Sequence, residues 1–125
     1  MEKEMFEKGI AIRREIFGPE LADQTWAAAD DFNRPFEEWI NRYCFGEIWG
    51  RPGLDRKTRS LITLSMLTGA NRPNQIRWHV RGAIANGVTK DELQELFLQA
   101  AIYCGMPAAV DGFRIAREVF QEMGI

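Results

Sequence analysis

The feature that most constrains this chain is the spacing of its apolar residues, which recur about every 3.6 positions in segment after segment. No stretch alternates apolar and polar residues strictly, and no Asn-Gly or Asp-Gly turn joins two β-branched runs, so the pattern does not support strands. A first helix is expected over residues 2–16, with Met5, Ile10, Ile12 and Ile16 among its apolar positions and Gly18-Pro19 ending it. A shorter helical piece follows over 22–29. Pro35 suits a first helical turn, and the third helix should carry Phe36, Trp39, Ile40, Tyr43 and Cys44 on one side before fading over 46–50. Arg51-Pro52-Gly53 is a loop.

Asp55 is placed to cap a fourth helix over 56–68, whose run from Leu61 to Leu67 is apolar on more than one face and so needs cover on several sides. Pro73 starts a fifth helix, which runs to Asn86 and stops at Gly87. Thr89-Lys90-Asp91-Glu92 is a capping-box sequence. It opens a sixth helix with Leu93, Leu96, Phe97, Ala100, Ala101 and Cys104 on one stripe. Gly105 breaks that helix, Pro107 restarts the chain, and a last helix runs to about Glu122. With no linker, repeat or low-complexity tract, the expectation is an all-α fold of six to seven helices in a single domain over residues 1–125.

Composition narrows the function classes. Sixteen Lys+Arg against 18 Asp+Glu leave a net charge of -2, without the basic excess that non-specific nucleic-acid binding needs. The apolar runs fall far short of the ~20 residues that span a bilayer. The amino terminus opens with acids and lacks an apolar signal core, so a cytoplasmic protein with neither nucleic-acid nor membrane partners is expected. The two cysteines, Cys44 and Cys104, are too few for a disulfide framework and are expected to be reduced and packed as small hydrophobes.

His79 is the only histidine, so any imidazole chemistry must use it. It shares a helical face with Ile76, Val80 and Ala83, which fits either a hydrogen-bonded core histidine or a general acid or base. Gln75 lies one turn earlier. Arg77 and Arg81 occupy a different face and are expected to meet solvent or an interface. Arg56, Lys57 and Arg59 crowd a helix start, where cations oppose the macrodipole, so acidic side chains or a bound carboxylate should offset them. Arg51 stands in the loop before them. Glu47 lies among Phe45, Ile48 and Trp49, and is either a carboxyl with a raised pKa or a plain surface acid. Trp39, Trp49 and Trp78 fit packing roles. There is no phosphate-binding glycine loop, zinc motif, nucleophile elbow or EF-hand loop, and one histidine with two distant cysteines makes no metal site.

Three segments in order carry a resemblance: Trp49-Gly-Arg-Pro-Gly-Leu-Asp-Arg-Lys-Thr-Arg-Ser-Leu-Ile-Thr-Leu, His79-Val-Arg-Gly-Ala-Ile-Ala-Asn-Gly-Val-Thr, and Gln99-Ala-Ala-Ile-Tyr-Cys-Gly-Met-Pro-Ala-Ala. Together with Arg13-Arg14-Glu15 and Phe32-Asn33, they resemble the small stand-alone branch of the carboxymuconolactone decarboxylase family. The resemblance implies an alkylhydroperoxidase D-like (AhpD-like) helical fold assembled into a ring-like homo-oligomer, a homohexamer or homotrimer. The redox branch of that superfamily carries Cys-x-x-Cys ahead of its histidine. Here Arg72 and Gln75 stand at those positions, so a thiol peroxidase mechanism has no nucleophile. Decarboxylase relatives resemble Glu-Leu-Lys-Leu-His at the segment that reads Gln75-Ile76-Arg77-Trp78-His79 in this chain.

The implied reaction is decarboxylation of 4-carboxymuconolactone to 3-oxoadipate enol-lactone in aromatic-compound catabolism, with no cofactor and no metal. It requires stabilisation of charge developing on the lactone, a hold on the remaining carboxylate, and a proton for carbon. His79 is the expected proton donor, Arg51 or Arg59 the carboxylate anchor, Gln75 the orienting group and Glu47 a second candidate acid. The Gln75 departure leaves two alternatives: an enzyme for a different lactone or carboxylic acid, and a non-catalytic oligomeric protein.

Overall fold

The computed structural model describes residues 1–125, all of which fall into helices and their connections. The chain forms two compact units, Met1–Asp55 and Arg56–Ile125.

The first unit begins with α1 (Glu2–Phe17) and α2 (Pro19–Ala27), joined by Gly18. A tight turn follows, in which Asp30 Oδ1 accepts from the backbone N–H groups of Phe32 and Asn33, while Asn33 Oδ1 accepts from that of Asp30. After α3 (Arg34–Trp39), the helix does not fade as its glycines suggested. It continues as a ten-residue π-helix, Ile40–Trp49. Such long π stretches are rare, and π geometry concentrates at functional sites.

α1 lies directly against the π-helix. A Cβ on Gly9 would stand 1.6 Å from the Asn41 carbonyl oxygen, so only glycine allows this approach. Ile12, Ile16, Phe45 and Trp49 form the apolar core of the unit. Beside it lies a polar cluster. Arg13 Nη1 donates to Glu37 Oε2 at 2.9 Å and to Asn41 Oδ1 at 3.2 Å, and its guanidinium sits 5.0 Å from the centre of the Phe45 ring. Phe36, Trp39 and Tyr43, expected on a packed helix face, are instead 50–58% exposed.

The second unit contains α4 (Arg56–Gly69), α5 (Pro73–Ala85), α6 (Lys90–Tyr103) and α7 (Met106–Met123). Leu64, Ile76, Val80, Ala83, Leu93, Phe97, Ile115 and Val119 make its core. α4 is covered along Ser60, Leu64 and Thr68, while Ile62 and Met66 face outward and leave its second apolar side open.

α5 ends at Asn86, and Gly87 turns the chain with φ +94, a conformation that suits glycine. The capping box forms as expected. Thr89 Oγ1 accepts from the Glu92 N–H at 3.1 Å and Glu92 Oε1 accepts from the Thr89 N–H at 2.9 Å, which holds the Glu92 carboxyl below its usual range.

Arg77 and Arg81, expected to meet solvent or another chain, instead bind α7. Arg77 pairs with Glu118 and Glu122, and Arg81 pairs with Glu122. Cys44 and Cys104 are free, as expected, but both are exposed rather than packed as small hydrophobes. Burial of the Cys44 thiol itself still pushes its pKa up, with Arg13 acting in the opposite direction. No helix is long and apolar enough to cross a membrane.

Candidate functional site

α5 carries two of the candidate residues, Gln75 and His79. Ile76, Val80 and Ala83 are buried at helical spacing, and His79 sits at the margin of that buried face, partly covered. Removal from water penalises the imidazolium and pushes the His79 pKa down to about 4. At neutral pH the side chain is therefore an uncharged imidazole, able to donate from one nitrogen and accept at the other.

The residue one turn earlier adds no opposing charge. Gln75 is exposed and carries no charge, whereas a carboxylate at that position would favour the imidazolium. Trp78, expected to be packed, is 42% exposed.

α4 packs against α5, and Asn86 Nδ2 donates to Ser60 Oγ at 3.2 Å, which fixes the register between them. Arg59, next to Ser60 and partly buried, therefore lies level with the end of α5. That is seven residues beyond His79, about 10 Å along the helix axis.

The crowding of cations at the start of α4 is partly relieved by an acid. Lys57 Nζ meets Glu92 Oε2 at 3.0 Å, so for this residue a protein carboxylate supplies the compensation.

Glu47 and Arg51 belong to the first unit, at the end of the π-helix and just beyond it. The structure does not give Glu47 an apolar pocket. Asn41, Phe45 and Trp49 are buried along one side of the π-helix, and Glu47 is exposed on another. Of its two readings, the surface acid describes its environment. Arg51 is also exposed, and its N–H donates to the Ile48 carbonyl at 3.1 Å.

The structure thus brings together His79 and Gln75 on one helix and sets Arg59 on the helix packed against it. No three His, Cys, Asp or Glu side chains are grouped so as to hold a metal ion. The sequence reading missed the π-helix and the Arg13–Glu37–Asn41 cluster. The available signal was the i, i+4, i+8 series Glu37, Asn41, Phe45, which places a carboxylate, an amide and a ring on one side of a helix.

Comparison with known proteins agrees with the three sequence segments. The profile of the carboxymuconolactone decarboxylase family matches residues 34–118. A 4-carboxymuconolactone decarboxylase of Acinetobacter baylyi is 40% identical over 124 residues, covering 99% of this chain and 92% of that protein. A nitrosuccinic acid decarboxylase of Metarhizium robertsii is 37% identical, with 98% and 86% covered. An uncharacterized 15.0 kDa protein of Paracoccus denitrificans is 41% identical, with 96% and 90% covered.

Proposed function

The chain belongs to the carboxymuconolactone decarboxylase family, and on that premise we propose that it removes carbon dioxide from 4-carboxymuconolactone to give 3-oxoadipate enol-lactone, without a cofactor. The observation that carries this reading is 40% identity over almost the full length of a protein of that activity. The match over 34–118 includes parts of both units, which supports a single functional domain over 1–125.

In the proposed step the bond to the departing carboxylate breaks, and its electron pair enters an enolate delocalised over the unsaturated lactone. Carbon then takes a proton. Arg59 anchors the remaining carboxylate, with Arg51 as the alternative anchor, and Gln75 orients the imidazole or the substrate.

His79 rests as neutral imidazole, so it is not a stored acid. A dianionic substrate beside it raises its pKa, drawing in a proton from solvent that is then handed to carbon. Glu47 is retained as a second acid, and an unchanged kcat in Glu47→Ala removes it from that role.

A second substrate class is favoured by Gln75 and by the nitrosuccinic acid relative. A nitro group beside a carboxylate accepts the same electron pair as a nitronate, so one site architecture can serve either electron sink.

The purified protein is to be incubated separately with freshly generated 4-carboxymuconolactone and with nitrosuccinate, following carbon dioxide release. Enzymatic turnover of the lactone is expected. Turnover of nitrosuccinate alone moves the assignment to the second class, and a well-folded protein inert towards both refutes the catalytic reading. His79→Ala should lower kcat by about 100-fold or more. Arg59→Ala should raise KM, and an unchanged KM removes it as the anchor.

Self-association as a homohexamer or homotrimer is part of the proposal. Phe36, Trp39 and Tyr43 in one unit, and Leu98, Ile102, Tyr103, Met106 and Val110 in the other, leave large apolar groups exposed. Light scattering on the eluting protein should give three or six times 14.4 kDa.

A further inference from the structure

A concavity of about 290 Å³ opens between α6 and α7, and none of the candidate catalytic residues lines it. Its floor is apolar. Leu93 and Phe97 are fully buried beneath it, and Phe97 and Phe113 lie with ring centres 5.4 Å apart. Phe120 also lines the concavity. Two cations stand over this floor: Lys90, whose ammonium lies 4.9 Å from the centre of the Phe120 ring, and Arg117.

The charges around Arg117 set it apart. On the same helix Arg114 is engaged by Asp111 and Glu118, and the arginines facing α7 from α5 are matched by Glu118 and Glu122. Arg117 has no carboxylate partner, although it is the arginine that borders the apolar floor. Asp91 is the only acid lining the concavity, against the two cations, and the rim is therefore net positive.

Aromatic walls with a cationic rim fit one ligand chemistry. A flat apolar ring gains from burial against Phe113 and Phe120 above the buried Phe97, and an anionic substituent on its edge meets Arg117 and Lys90. Neither half alone is well served. A neutral ring leaves the rim cations facing only solvent, and a small anion without a ring leaves the apolar floor wet.

We propose that the α6–α7 concavity is a second ligand site, for a single-ring aromatic carboxylate, separate from the decarboxylase site. Its occupancy is independent of whether that reaction is the one assigned above.

Benzoate is the probe, titrated into the full-length protein, with benzyl alcohol and acetate as the neutral-ring and ringless-anion controls. Binding is read from saturable chemical-shift changes at backbone amides of the α6 and α7 residues lining the concavity. Saturable benzoate binding is expected there, with both controls at least about fivefold weaker, and with a loss of about fivefold or more in Arg117→Ala. Arg114→Ala, which removes a cation already matched by acids, should leave benzoate binding within twofold. Arg117→Ala should leave decarboxylase turnover unchanged.

Shifts that map to α5 rather than to α6 and α7 overturn the proposal, as does equal binding of acetate. Unaltered benzoate affinity in a folded Arg117→Ala protein overturns it too. Failure of the decarboxylase assay leaves each of these outcomes readable.

Discussion

Acid should destabilise this protein through His79 before it does so through the carboxyls of Glu92 and Glu118. The His79 pKa is about 4 in the folded state, against 6.5 when solvated. A depressed folded pKa means that the unfolded chain binds the proton first as pH falls. Stability is therefore intact above about 6.5 and is lost on the way down to about 4. The slope approaches about 1.4 kcal/mol per pH unit, so about 2 kcal/mol should disappear between pH 7.5 and pH 5, and about 3 kcal/mol once both states are protonated.

His79 is the only histidine, and the carboxyls of Glu92 and Glu118 are held below their ordinary range, so what they contribute is lost at lower pH than the contribution of the imidazole. Urea unfolding at pH 7.5, 6 and 5, at one fixed protein concentration, should show this loss in the native protein. The same loss should be nearly absent in His79→Gln. The imidazole resonance should titrate near pH 4. A midpoint near 6.5, or equal acid sensitivity in His79→Gln, would falsify the account of a desolvated histidine.

Other substitutions test neighbouring parts of the argument. Gln75→Glu places a carboxylate one turn from His79, about 6 Å away, and should raise its pKa by about one to two units; an unmoved imidazole titration contradicts the role given to Gln75. Gly9→Ala drives a methyl into the Asn41 carbonyl, and should destabilise by about 3 kcal/mol despite the better helix propensity of alanine, read as a lowered urea midpoint. Glu37→Ala leaves the mostly buried Arg13 guanidinium without its carboxylate and should lose about 3 kcal/mol, most of it regained in the Arg13→Met, Glu37→Leu double variant. If the single variant melts with the native protein, the pair is not a desolvated one.

Much of the architecture was legible in the chain because its determinants are local. Apolar spacing, the prolines at 35, 73 and 107, the glycines at 18, 87 and 105 and the Thr89 capping box mark helices and their ends within a few residues. The π-helix was not legible. Asn41, Phe45 and Trp49 are spaced four apart, which an α-helix also allows, so the spacing does not distinguish the two hydrogen-bond registers.

The site divides in the same way. That His79 is the one imidazole, and that Gln75 precedes it without charge, follow from the sequence alone and are enough to frame proton transfer as the question. How that imidazole titrates depends on how much water the packing of α5 removes. Likewise, Arg77 and Arg81 found acids more than forty residues away, while Glu47 turned outward from the apolar neighbours that surround it in sequence. Helix periodicity is a property of neighbouring residues, but desolvation and ion pairing are set by what the folded chain brings alongside, and only the tertiary structure decides that.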